Sequence, residues 1–158
     1  MTNTAENQAA AQAAGIRNML AAVAVDYDRL EELRDEYDAL EDPRDWSDAA
    51  EYDELREAAG DCASEDEARD RIQEDPLSVQ VRSGWYSPGE TDQQPEEFEI
   101  LLCTGGPAVR IMGDLNSFGQ PTRAYLQYQD WGTPWTNYYE PGLGDTLVEY
   151  ASHFYFGE

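Results

Sequence analysis

Apolar residues recur at two different intervals along the chain, and the change falls at Pro76. Before it, Ile16, Val23, Leu30 and Tyr37 are spaced by seven, and Met19, Leu33 and Leu40 hold the companion positions three later; only Asp26 interrupts that second row. A mean spacing of about 3.5 residues predicts a helix with one apolar seam. Thr4 is placed to cap its start, and Pro43 forbids continuation much beyond Glu41. Tyr52, Leu55, Ala59 and Cys62 repeat the spacing on a second helix that Ser47 can cap. Ser64 and Glu67 form a capping box for a third, which carries Ala68 and Ile72 and ends before Pro76. Helices this short are marginal alone, so an antiparallel, coiled-coil-like hairpin turning near Pro43 to Trp46 is expected.

After Pro76 the period is two. Leu77, Val79 and Val81 alternate with Ser78, Gln80 and Arg82, which predicts a half-buried strand; Phe98, Ile100 and Leu102 alternate with Glu97 and Glu99. Val109 to Met112 and Thr122 to Gln129 follow across the turns Gly105-Gly106-Pro107 and Gly119-Gln120-Pro121. Such short connections imply an antiparallel meander. An aromatic loop, Trp131 to Trp135, leads to a closing helix capped by Asp145, with Leu147, Tyr150, Ala151 and Phe154 on one face. The expected fold class is α+β: an acidic helical hairpin over residues 1–76, then a small antiparallel four-stranded sheet with a C-terminal helix over 77–158. Helices are expected mainly within 4–75 and 145–156.

Charge changes the picture more than composition does. The 158 residues carry 34 acidic groups against ten basic ones, all Arg, for a net of −24. That balance excludes a conventional nucleic-acid binder, which needs a cationic footprint, and argues against docking on an anionic membrane. The Ala-rich N-terminus lacks a basic n-region, so a soluble intracellular protein is expected. Residues 1–76 hold 23 of the acids and seven Arg, whereas 77–158 hold eleven acids and three Arg. Uniform loading, as adaptation to high salt would produce, is not what is seen.

Candidate chemistry is sparse. His153 is the only histidine, which removes most nucleophile–base and metal schemes, and packing is its expected role. Cys62 and Cys103 read as small core residues, with neither a disulfide framework nor a ligand spacing. Gly105-Gly106 matches no phosphate loop, and the acidic runs fail the calcium-loop template. An enzyme, a metal and a cofactor are therefore not expected. Trp131 and Trp135, with Tyr138 and Tyr139, either roof the sheet or project as a contact surface. Arg82, Arg110 and Arg123 pair with local acids on this reading.

From Asp26 to Asp42 there are nine acids and two Arg. As one helix of seventeen residues they span about 25 Å, or one net charge per about 3.6 Å, close to the spacing of about 3.4 Å along one DNA strand. A second row, which includes Asp48, Glu51 and Glu54, lies on the next helix. Carboxylates so fixed fit a cationic groove built for phosphates and gain by long-range steering.

Several stretches resemble sequences of small acidic proteins from prophages and other mobile elements of proteobacteria. They are Arg71 to Trp85 (RIQEDPLSVQVRSGW), Gly105 to Gly113 (GGPAVRIMG), Gln129 to Trp135 (QDWGTPW) and the ending Phe154 to Glu158 (FYFGE). The likeness covers about residues 64–158 and implies a bacterial cytoplasm and an accessory gene that interferes with host defence. In charge balance alone, the chain also resembles phage anti-restriction and anti-CRISPR DNA mimics. The expected function is inhibition of a DNA-binding defence complex through Asp28, Glu31, Glu32, Asp35, Glu36, Asp38, Glu41, Asp42, Asp48, Glu51 and Glu54, with Trp131 and Trp135 as further contacts. The expected partner is a host protein with a basic DNA-binding groove, and the helical arm offers a route to a homodimer. The alternative is a coiled-coil adaptor whose acidic surface only solubilises it.

Overall fold

The computed structural model describes residues 4–91 and 93–157. The chain is α+β, with five α-helices and a five-stranded antiparallel sheet among the described residues. It divides into two compact units, one of residues up to Arg17 and from Ile72 onward, the other of Asn18–Arg71. The division thus differs from a single boundary at Pro76.

In the first unit the sheet is a simple meander. Strands β1 (Ser78–Ser83), β2 (Pro95–Cys103), β3 (Ala108–Leu115), β4 (Pro121–Gln129) and β5 (Thr136–Tyr138) neighbour one another in chain order. The fifth strand corrects the expected count of four: its three residues, directly after the aromatic loop, pair Leu126, Gln127 and Tyr128 of β4. Alternation sends Phe98, Ile100, Leu102, Val109, Ile111, Ala124 and Leu126 to one buried face. Gly113 sits opposite Phe98 and Ala124, and a Cβ there would lie 2.4 Å from the Phe98 ring and 2.2 Å from the Arg123 carbonyl oxygen. The strand needs glycine because the ring occupies the side-chain position.

Helix α5 (Leu143–Ala151) buries Leu147, Tyr150 and Ala151 and packs on β4. Its N-cap is Gly142 in the left-handed region, and Asp145 lies inside the first turn rather than capping it. The helix also stops earlier than residue 156: Phe154 lies beyond its end, its ring 5.4 Å from Tyr150. Helix α1 (Thr4–Val23) contributes a fully buried stripe of Ala5, Ala9, Ala13 and Ile16. Thr4 is already helical, and the position before it lies outside the described residues. Arg17 pairs with Glu140, which also accepts from the Tyr138 hydroxyl. The chain entering β1 is tied down by Tyr150, whose hydroxyl donates to Asp75 Oδ2 at 2.8 Å, and by Gln73, whose amide donates to the His153 carbonyl at 3.2 Å. Burial, helped by the Asp75 carboxylate, pushes the Tyr150 phenol far above its ordinary value.

In the second unit the expected long helix is two helices. Asp26, the residue that breaks the apolar row, caps α2 (Tyr27–Asp38): its Oδ1 accepts the Arg29 N–H at 3.1 Å. An aspartate with helical neighbours competes for backbone donors, and here it wins a cap instead of joining a helix interior. Tyr27 fixes the bend by donating its hydroxyl to the Ala22 carbonyl at 2.6 Å. A 3-10 turn, Pro43–Asp45, leads to α3 (Ala49–Ala59), which begins after Asp48 rather than at a Ser47 cap. The antiparallel coiled-coil hairpin is likewise corrected. Arg29, in the first turn of α2, reaches Asp48 and Glu51 at the beginning of α3, where an antiparallel partner would present its end. Leu30, Leu33, Tyr52 and Ala59 form the core that α2 and α3 share. The apolar seam thus finds its cover within the chain. A smaller core joins Ala22, Cys62 and Ala68, the last on α4 (Glu65–Glu74). Ser64 Oγ accepts the Glu67 N–H at 3.1 Å as the box requires, but Glu67 reaches back to the Ala63 N–H rather than to that of Ser64.

Two glycine substitutions should separate backbone propensity from packing. Gly15 lies inside α1 with no neighbour within 4 Å of an added Cβ, so Gly15→Ala should stabilise by about 1 kcal/mol. Gly113→Ala should cost about 3 kcal/mol or unfold the sheet. Urea denaturation of both variants checks the sign of each.

Candidate acidic interface

Helix α2 is divided lengthwise. At about 3.6 residues per turn, Asp28, Glu31, Glu32, Asp35, Glu36 and Asp38 fall on one half of its surface, and Leu30, Leu33 and Tyr37 on the other. Arg29 and Arg34 stand at the two borders. The apolar half is held by aromatic packing: the Tyr37, Trp46 and Tyr52 rings pack together, with centroids 5.5 to 6.0 Å apart. The Arg56 guanidinium lies 5.3 Å over the Tyr52 ring.

Arg29 is the clamp between the helices. Its Nε and Nη2 donate to the two carboxylate oxygens of Glu51 at 2.8 and 3.2 Å, and it also pairs with Glu32 and Asp48. These bonds raise the Arg29 guanidinium and hold the Glu51 carboxyl below its ordinary range. Asp42 behaves alike: it caps the 3-10 turn through the Arg44 N–H and accepts three bonds from the Arg44 guanidinium, at 2.7 to 3.1 Å, which lower its carboxyl.

The expected residues therefore separate into three groups. Asp28, Glu31, Asp35, Glu36 and Asp38 form an exposed row on α2 with no Arg partner among the described residues, while Glu32 shares Arg29. Asp48, Glu51 and Asp42 are occupied by Arg29 and Arg44. Glu41 and Glu54 are exposed, the first after the end of α2 and the second on α3. Residues 26–42 are thus not one rod: the helical part is twelve residues, about 18 Å long. On α3, Asp53, Glu54 and Glu57 help to line an open hollow of about 810 Å³ together with small residues, among them Ala21, Ala22, Ala50, Ala58, Ala59 and Gly60.

Trp131 and Trp135 belong to the other unit. Trp131 is 80% exposed, whereas Trp135 lies over the Arg110 guanidinium at 4.0 Å. Arg110 is the centre of a polar ladder that reading the residues in order did not find. It donates to Glu99 at 2.7 Å and to Gln127 at 2.9 Å; Gln127 donates to Asn137 at 2.9 Å, and Asn137 to the Tyr139 oxygen at 3.2 Å. Alternation puts Glu99, Arg110 and Gln127 on the outward face of their strands, but only the strand register aligns them with one another and with Asn137.

Among the described residues no group of three or more His, Cys, Asp or Glu is arranged to hold a metal ion, and no helix is long and apolar enough to cross a membrane. No family model, curated protein or solved structure matches the chain.

The clamp has a titration signature. Glu51 should titrate below its ordinary value near 4.5, and Arg29→Gln should return it there, as read by NMR. Because the folded value is depressed, the pair's contribution is full above about pH 4.5 and is lost as pH falls through the folded value.

Proposed function

We propose that this protein is an anti-defence protein of a phage or mobile element, which binds a bacterial DNA-binding defence complex of CRISPR or restriction type and occupies its DNA groove. On this reading it is a binder and not an enzyme, it works in the bacterial cytoplasm, and its working surface is the acidic half of α2 with the adjoining acids of α3. The resemblance of residues 64–158 to mobile-element proteins supplies the biological setting.

The observation that carries the reading is the energetic cost of the row. Asp28–Glu32, Glu31–Asp35 and Glu32–Glu36 are like-charge pairs at i,i+4, each unfavourable by a few tenths of a kcal/mol in a helix. Asp35, Glu36 and Asp38 lie at the helix end where the macrodipole disfavours anions, and no basic residue lies in that last turn. Residues chosen for folding would not be placed this way. A rigid row of carboxylates does suit Arg and Lys side chains spaced to receive phosphates, since charge-assisted and bidentate pairs form equally with either anion.

The decisive experiment is capture from a bacterial host followed by competition. A cationic DNA-binding protein should co-purify, and binding should weaken steeply as salt rises. Reversing charge with Glu31→Lys, Glu32→Lys, Asp35→Lys and Glu36→Lys should reduce affinity about a hundredfold or more while leaving the sheet unit folded. DNA should compete, because both ligands need the same cationic side chains. A stable ternary complex at saturating DNA, or an undiminished charge-reversed variant, would overturn DNA mimicry and favour the adaptor.

A further inference from the structure

Exposed apolar side chains are gathered on one short segment. Leu77, Val79, Val81, Trp85 and Tyr86 make up half of the large exposed hydrophobic side chains among the described residues, and Trp85 is fully exposed. Val79 and Val81 oppose Ile100 and Phe98 across the β1–β2 ladder, so they point to the core side of the sheet. Yet they are 37% and 42% exposed, which corrects the expectation of a half-buried strand. Strand β1 has a neighbour on one side only, and Ser78 to Val81 carries none of the charges or prolines that usually guard an edge.

We propose that β1 is a dimerisation edge: two copies of this chain pair β1 to β1, antiparallel, about a two-fold axis at Gln80, and join their sheets into one. The sequence is self-complementary in that register. Val79 of one copy falls opposite Val81 of the other, twice, on the same face, while Arg82 falls opposite Ser78. Pairing supplies the backbone partners that the edge lacks, and each valine gains apolar cover from its counterpart. Charge favours a second copy here over elsewhere. Residues 77–89 contain no acid and one Arg, in a chain of net −24. On β2, Glu97 and Glu99 are paired with Arg82 and Arg110, and the Glu96 carboxylate lies against Gly84, beyond the paired valines. Two copies therefore meet along a strip where no carboxylate faces its counterpart.

This inference does not rest on the reading of the acidic helices, and salt separates the two. Mutual repulsion of two strongly acidic bodies opposes dimerisation and is screened by salt, so the dimer should tighten as ionic strength rises. Binding through the acidic row should weaken instead.

Sedimentation equilibrium of the full chain across concentration, at low and high salt, reads the mass directly. A dimer of the 17.8 kDa chain is expected, with a dissociation constant that falls at least severalfold at high salt. Val79→Lys with Val81→Lys should give a monomer with an unchanged circular dichroism spectrum, because both positions are exposed in the single chain. Independently of that variant's folding, Gln80→Cys should cross-link to its own counterpart under mild oxidation, since directly opposed residues lie within disulfide reach. The same substitution at Asn137 on the opposite edge should not. A parent chain that stays monomeric at high concentration and high salt would overturn the proposal and leave the strip to an extended strand of another protein. So would a double-lysine variant that dimerises as tightly as the parent, or a Gln80→Cys chain that fails to cross-link.

Discussion

Repulsion between carboxylates crowded on one side of a twelve-residue helix is the constraint around which residues 18–71 are organised. A helix so loaded cannot hold itself together, because its like-charge neighbours and its anionic C-terminal turn both work against it. Stability has to come from the opposite half, and that half is unusually rich for so small a unit. Leu30 and Leu33 are buried, three aromatic rings pack against one another, and Asp26 supplies the cap. Arg29 then spends its one charge on Glu51, Asp48 and Glu32 together, which fastens α3 across α2 without reducing the row beyond.

The sheet unit handles charge in the opposite way. Each of the three Arg on its strands lies on the outward face, opposite or diagonal to an acid of the neighbouring strand: Arg82 with Glu97, Arg110 with Glu99, and Arg123 in register with Asp114. Trp135 covers the middle one and Tyr125 lies beneath the last. The face is locally balanced, although the chain as a whole is strongly anionic. One unit concentrates uncompensated charge, and the other offers a neutral, partly apolar edge. The two proposed contacts divide along the same line: the cationic partner is assigned to the charged unit and the second copy to the neutral edge.

Much of this was legible residue by residue. A period near 3.5 before Pro76 and of two after it is local information, since it follows from where successive side chains point on a helix or a strand. The helical character of the chain before Pro76, the closing helix, four of the strands, their antiparallel order and the Ser64 half of the capping box could be read on that basis. So could the half-and-half division of α2, because its acids and leucines alternate at helical spacing whatever packs around them.

What the sequence could not decide were choices between local options of similar energy. Asp26 suits a helix interior poorly and a cap well, but a single interruption in a heptad row is also tolerated in longer helices; the Tyr27 hydroxyl on the Ala22 carbonyl is part of what settles it. How α2 and α3 meet depends on the contact of the Tyr37, Trp46 and Tyr52 rings, which a seam does not specify. Strand β5 exists because β4 offers it an edge, since three residues have no strand propensity worth the name alone. The Arg110 ladder needs four strands in register. Val79 and Val81 look like core residues in any window of the sequence, and only the tertiary structure leaves them uncovered. Periodicity records the direction of a side chain, whereas burial depends on what the rest of the chain brings to meet it.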